Sequence, residues 1–309
     1  MTNLRVVTVG IDGSETSTVA LAWAARESSR RGALLRVVHA YTIPVYGGDM
    51  GAAIAFPAVG LDEFHTSHQK ITADQLEPIR ALYPDLTIET VVHSGPPIST
   101  IVEEAKGSEL VVVGSHGAGS LAAALIGSVA RGVAHRAPCP AVLVPNAPLK
   151  ATVERIVVGT DGSPASEAAM DWADDESRLW GAELTVTHAC YYPYHAGHVS
   201  TGSAAALMEV DAMMLLSTAG HRLDTRRNSG NEVRTLLLPG PAATALVEAS
   251  TDSDLLVVGA RGHSALRAAL LGSTSNQAIH HARCPIAIIH TPPAHGGLGE
   301  QPNNIRLQA

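Results

Sequence analysis

The chain repeats itself. Shifted by 149 positions, residues 9–40 match 158–189 at 17 of 32 places; shifted by 145, residues 95–128 match 240–273 at 16 of 34. Unrelated segments would share about two identities in either window, so the duplication is secure. The period is far too long for a solenoid unit, and 309 residues suit two whole domains in tandem. The offset changes between residues 42 and 94, where the copies diverge. The expected organisation is a first domain over 1–146, a linker over 147–152 and a second domain over 153–291. A disordered tail is expected over 292–309.

Each copy alternates short apolar runs with helical periodicity. In the first, strands are expected at 5–9, 35–40, 88–93, 110–113 and 141–144, with helices at 16–31, 61–82, 97–106 and 128–136. The second copy repeats the strands at 155–159, 184–189, 233–238, 255–258 and 286–289. Near-continuous apolar strands separated by helices predict a parallel sheet covered on both faces. The fold class is therefore α/β: two tandem doubly wound, Rossmann-like five-stranded parallel sheets. Ala20, Trp23 and Ala24, and their twins Ala169, Trp172 and Ala173, recur at i, i+3, i+4 and mark core-facing helix stripes. Residues 41–60 and 191–206 lack a clear period and are expected as long loops.

Hydrophobic residues make up 46% of the chain but aromatics only 4%, so Ala, Val and Leu must fill the cores. A formal charge of −8 leaves no basic footprint for nucleic acid. No apolar run reaches the length of a membrane span. Cys139 and Cys284 are repeat equivalents, and Cys190 stands opposite Tyr41. Three thiols without an even framework predict a reducing, cytoplasmic setting.

The chemistry sits in the glycines. Gly114-Ser115-His116-Gly117 is followed nine residues later by Gly127-Ser128; the second copy reads Gly259-Ala260-Arg261-Gly262, then Gly272-Ser273. Each follows the fourth apolar run of its copy. Glycines at a strand-to-helix turn let backbone amides approach an anion, and the next helix start adds partial positive charge. A P-loop is excluded because no lysine follows a relevant glycine. A dinucleotide fingerprint belongs after the first strand, where this chain has Gly10-Ile11-Asp12-Gly13-Ser14 instead. Asp12 and Asp161 either face a ligand or merely cap the first helix of each copy. Ser128 and Ser273 stand where a helix N-cap is expected.

This combination resembles the universal stress protein family over nearly all of residues 4–146 and 153–290, and the tandem arrangement resembles double-domain members of actinobacteria. Members with the full glycine pattern bind ATP, an adenine nucleotide alpha hydrolase-like fold holding it. The resemblance implies Gly10, Ile11 and Asp12 beside the nucleoside, with Ala40 along the adenine slot. Val113 and Gly114 would pass the ribose, Gly117 would admit the phosphates, and Gly127, Ser128 and Val129 would hold their far end. In the second copy the same roles fall to Gly159, Thr160, Asp161, Ala189, Val258, Gly259, Gly262, Gly272, Ser273 and Thr274. Mg²⁺ would arrive with ATP.

The copies differ where Ser115-His116 becomes Ala260-Arg261, and Arg261 would strengthen the second site through charge-assisted contacts with phosphate. The His-x3-Cys pairs His135/Cys139 and His280/Cys284 supply two ligands each, short of a closed metal site. His39 and His188 are expected as packing residues at strand ends. The leading expectation is an ATP-binding, nucleotide-responsive regulator or interaction module in a stress or growth-arrest response. A slow ATP hydrolase or nucleotidyl-group transferase and a nucleotide-independent scaffold are the alternatives; against turnover, no basic cluster stands ready for a transferring phosphoryl group. In the family the last strand often pairs across a subunit interface. Residues 141–144 and 286–289 would thus pair between subunits in a homodimer, or with each other inside one chain as a pseudo-dimer.

Overall fold

Val, Leu and Ile dominate the central strands and commit both of their faces to burial. In a computed structural model, which describes residues 4–42, 58–117, 126–190, 203–227, 233–262 and 271–291, they build one continuous sheet. The first copy contributes β1 (Val6–Ile11), β2 (Leu34–Tyr41), β3 (Ile88–Ser94), β4 (Leu110–Gly114) and β5 (Ala141–Val144). The second contributes β6 (Arg155–Gly159), β7 (Glu183–Cys190), β8 (Arg234–Pro239), β9 (Leu255–Gly259) and β10 (Ile286–Ile289). Helices α1 (Glu15–Arg31), α2 (Ala58–Leu82), α3 (Pro97–Glu104) and α4 (Ser128–Arg136) alternate with the first set. Their counterparts are α5 (Pro164–Trp180), α6 (Ser203–Arg226), α7 (Ala242–Ala249) and α8 (Ser273–His281). The expected strands are met to within a residue or two.

Strand order is β3-β2-β1-β4-β5-β10-β9-β6-β7-β8, with ten strands in one sheet. Pairing is parallel within each copy and antiparallel at one place, where Ile286, Ala287 and Ile288 of β10 face Leu143, Val142 and Ala141 of β5. The two expected sheets are therefore zipped along their last strands. Both strands are interior to the sheet and neither offers an open edge.

Side chains alternate with period two across this sheet. Leu110 and Val112 of β4, Val142 and Val144 of β5, and Ala287 and Ile289 of β10 point to one core, shared with Trp23, Leu76, Ala169 and Leu216. Val111, Val113, Leu143, Ile286 and Ile288 point to the other, with Ile101, Ala130, Leu246 and Ala278. Each core runs through both copies. Helices α1, α2, α5 and α6 cover one face; α3, α4, α7 and α8 cover the other. Trp23 is an expected core anchor at 1% exposure, while Trp172 packs at the margin of the same core.

Two expectations change. Helices α2 and α6 begin inside the segments expected as loops, at Ala58 and Ser203. In the second case Ala204-Ala205-Ala206 favours helix and contains no breaker. The rest of those loops, and the expected tail over 292–309, lie outside the described residues. In the 145–150 segment Leu149 packs on the core, and Lys150 pairs with Asp254 at 2.8 Å.

Candidate functional site

Strand order reverses direction beside β1 and again beside β6, so two crevices open at the carboxyl ends of β1/β4 and β6/β9. Such switch points are where open α/β sheets place their ligands.

The turn after the first strand of each copy is tightly organised. Gly13 and Gly162 take positive φ (84° and 77°), a conformation that favours glycine. Asp12 Oδ1 accepts from the Ser14 amide (3.0 Å) and hydroxyl (2.6 Å); Asp161 Oδ1 accepts from the Ser163 amide (3.0 Å). The helix caps are Ser14 and Ser163, whose hydroxyls accept from the Ser17 and Ser166 amides. The aspartates thus shape the turn but do not cap the helix. Their second oxygens lie against the glycine turn: a Cβ built on Gly117 would sit 2.7 Å from Asp12 Oδ2, and one on Gly262 would collide with Asp161 Oδ2.

The glycine turns are fixed by the sheet. Ser115 N donates to Val144 O (2.8 Å) and Gly127 N to Ser115 O (2.7 Å); Ala260 N donates to Ile289 O and Gly272 N to Ala260 O, both at 2.7 Å. Gly114 and Gly259 have a packing reason. A Cβ there would come within 3.0 Å of Thr16 O and 2.7 Å of Ala165 C, so α1 and α5 can approach only a glycine. Gly127 and Gly272 have none among the described residues. Their φ values are −64° and −70°, and among the described residues an added Cβ would meet nothing nearer than 3.4 and 3.5 Å.

The expected serine caps are corrected here. Gly127 and Gly272 occupy the N-cap positions of α4 and α8, Ser128 and Ser273 are the first helical residues, and no side chain among the described residues caps either helix. Gly-Ser fits either register by residue type; the extended backbone at the glycine decides it. Among the described residues, first-turn amides of both helices have no side-chain acceptor.

In the second copy all eleven residues singled out from the sequence, from Gly159 to Thr274 and including Ala189 and Arg261, line one cleft. It holds about 650 Å³ of unoccupied space, its open mouth included. Arg261 is exposed on the rim and has no ion pair among the described residues. Sequence reasoning missed Ser166, Thr187, Ala242, Leu246 and Ser275 on the same walls. Ala242 and Leu246 were recoverable as the repeat twins of Pro97 and Ile101. His188, expected only as a strand-end packing residue, also lines the cleft. Its Nδ1 lies 2.8 Å from Thr160 O, and since a carbonyl only accepts, the proton sits on Nδ1.

In the first copy Gly10 and Ile11 end β1, Ala40 lies near the end of β2, and Val113 and Gly114 end β4. Contacts from Gly117 to Asp12, and from Gly127 to Ser115, bring the two turns and the start of α4, with Ser128 and Val129, to one place.

The model of the universal stress protein family matches residues 3–145 and again 152–290. The chain belongs to the universal stress protein family. A universal stress protein of Mycobacterium tuberculosis is 31% identical over 302 residues, covering 91% of this chain and 96% of its own length. Another, from Mycolicibacterium smegmatis, is 29% identical over 293 residues, with 92% and 96% covered. Among solved structures, a universal stress protein from Archaeoglobus fulgidus superposes with a TM-score of 0.67 at 19% identity, covering 93% of this chain and 98% of that one.

Three further polar side chains of this universal stress protein, Cys139, Cys284 and His39, are buried. The Cys139 and Cys284 thiols are buried, and burial pushes them up to about 12 and about 11, so they stay protonated. Cys139 Sγ donates to Ala105 O (3.7 Å). Among the described residues no group of three His, Cys, Asp or Glu could hold a metal ion. His39 is buried at 3% exposure and linked to α2 on both nitrogens. The Thr72 hydroxyl donates to His68 O (2.9 Å), so it must accept from His39 Nδ1 (3.0 Å), and His39 Nε2 then accepts from His68 Nδ1 (3.0 Å). Burial, and secondarily His68, hold His39 below the ordinary imidazole range, with Asp12 opposing.

Proposed function

We propose that this universal stress protein binds ATP, with Mg²⁺ accompanying the nucleotide, in the crevice of each repeat, and that occupancy sets its readiness to engage a partner in a stress or growth-arrest response. The observation that carries the reading is the pair of glycine caps. Among the described residues, Gly127 and Gly272 are required neither by backbone conformation nor by neighbouring atoms, yet they stand at the starts of helices whose first amides lack a side-chain cap there. Bare amides with the positive end of a helix dipole suit phosphate oxygens.

Under this reading the first-turn amides of α4 and α8, with the Ser128 and Ser273 hydroxyls, would take the phosphates. Asp12 and Asp161 would face the nucleoside, Ala40 and Ala189 would line the base, and Arg261 would reach the phosphates from the rim. ATP supplies a polyanion whose binding stabilises whichever conformation holds it: at about 100 times Kd the gain is roughly 2.7 kcal/mol. That magnitude is a large share of a typical domain's stability, enough to bias a conformational or assembly equilibrium.

The test is to denature freshly purified protein, identify released nucleotide by mass spectrometry, and titrate the emptied chain with ATP by calorimetry. A stoichiometry near two per chain is expected. Gly127→Val and Gly272→Val should each remove one site, since the added side chain enters phosphate space with little collision inside the protein. Variants that fold normally and still load two nucleotides would defeat the assignment. Gly117 and Gly262 are poorer probes, because a side chain there displaces the aspartate of the opposite turn.

A further inference from the structure

The second repeat carries a groove at a place that side-chain contacts bridge in the first. Thr72, Leu76 and Ile79 of α2 are buried at the same spacing as Ala212, Leu216 and Ala219 of α6, which pairs Ile71 with Asp211 and Gln75 with Leu215. In the first repeat Gln75 Nε2 donates to Ser17 Oγ (3.2 Å) and Thr18 Oγ1 (2.7 Å), binding α2 to the start of α1. Ile71 closes over the turn as well, its Cγ2 3.0 Å from where a Cβ on Gly13 would lie. Leu215 has no hydrogen-bonding group to repeat the first tie. A groove of about 700 Å³, mouth included, opens between α6 and the start of α5, as large as the cleft described above.

Its floor is apolar, formed by Met170, Leu215 and Ala219. Its rim carries the Glu167 and Asp211 carboxylates, neither of which has an ion pair or side-chain hydrogen bond among the described residues. Arg222, also on the groove, is committed elsewhere: it pairs with Asp171 (3.0 Å) and donates to the Glu167 carbonyl (3.3 Å). The apolar surface continues along α6. Leu207, Val210 and Met214 follow at i, i+3 and i+7 and are 64%, 52% and 63% exposed. Asp211 and Thr218 of the groove share that side of the helix. Contiguous exposed apolar side chains mark interaction sites, and methionine adapts to the shape it meets.

We propose that this groove docks a basic amphipathic helix from a partner protein. A helical ligand presents apolar residues at the i, i+3, i+4, i+7 spacing that an elongated apolar groove accepts. Its lysines or arginines would answer Glu167 and Asp211, the charge selection following from the two unanswered carboxylates. Thr160 lines both this groove and the cleft, so a docked helix rests on the wall that faces the proposed nucleotide. The docking itself does not depend on the ATP reading.

The experiment uses the full chain and a fluorescein-labelled 14-residue peptide of leucine and lysine in amphipathic helical order, followed by anisotropy at physiological salt. A second peptide carries glutamate at every lysine position. The lysine peptide should bind and the glutamate peptide should not. Met214→Glu should weaken binding about tenfold or more, as loss of a central apolar contact does, and Asp211→Lys about fivefold or more. Phe64→Glu, an exposed change on α2, should leave it unaltered. All three positions are exposed, and thermal melts of the variants verify folding. Absence of lysine-peptide binding overturns the proposal. So does equal binding of the glutamate peptide, indifference to Met214→Glu and Asp211→Lys, or an equal loss with Phe64→Glu. Self-association of the chain through this face in place of peptide binding, abolished by Met214→Glu, overturns it as well.

Discussion

At the scale of single residues, the two copies obey the same rules with different side chains. Arg261 replaces His116 on the rim of the second cleft. A guanidinium with no ion pair among the described residues is available for a charge-assisted bond to phosphate. Arg261→Ala should therefore weaken ATP at the second site about tenfold, roughly 1.4 kcal/mol, and leave the first site unchanged; calorimetry on single-site glycine variants reads this directly. His39 offers a different test. Its folded pKa lies below the unfolded value of about 6.5. Its contribution to stability is therefore full above that value and is lost as pH falls through it toward the folded pKa. Urea midpoints should drop between pH 7.5 and pH 5, and His39→Gln should remove part of that dependence, the rest coming from His68, His135, His280 and His290, which are also held low. The glycines and aspartates of both sites were legible in the sequence because each motif occurs twice at matched spacing. The His39–His68 link was not, since its partner comes from α2, in a stretch where the copies share no register.

Elements reveal what the motifs leave ambiguous. Gly-Ser before a helix suggests a serine cap, but the backbone at Gly127 and Gly272 makes the glycine the cap and leaves the amides without a side-chain acceptor among the described residues. A sequence cannot distinguish these registers, because both residue types are good N-caps. The distinction has a measurable consequence. Gly272→Asp puts a carboxylate on the amides of α8 with room for its Cβ, so it should stabilise the chain by about 0.5 kcal/mol through capping and the helix dipole. The same carboxylate should abolish ATP binding at that site. Denaturant melts and ATP titrations of one variant would then move in opposite directions; a variant that keeps ATP would mean phosphate lies elsewhere. Helix α6 shows the converse limit: its first turn was expected as loop, and its groove depends on Leu215 standing where Gln75 stands in the other copy, visible only once burial aligns the two helices.

At the scale of the whole molecule, the copies meet along α1 and α5 as well as along the sheet. Glu27 and Glu176 are repeat twins, both buried, and a single arginine serves both: Arg31 pairs with Glu27 (2.7 Å) and with Glu176. At the position equivalent to Arg31 the second copy has Trp180, whose indole N–H donates to Glu27 Oε2 (3.2 Å). Arg26 and Arg30 lie over the same indole. The contact is asymmetric although its halves are homologous. Arg31→Ala would take the ion pair from two buried carboxylates, leaving Glu27 only the Trp180 N–H, and should cost about 3–5 kcal/mol in urea unfolding; a loss below 1 kcal/mol would show that water reaches them. Repeat comparison shows Glu27 and Glu176 at once, but nothing in the spacing says that they face each other.

The antiparallel seam between β5 and β10 has one more consequence. Two separate chains joined by such a seam would come apart on dilution, whereas here a covalent tether makes the encounter unimolecular and insensitive to concentration. Each half is also released from serving as its own mirror image. A substitution such as Arg31 against Trp180, or Gln75 against Leu215, can accumulate on one side alone, leaving a molecule whose two halves share a frame and are free to specialise.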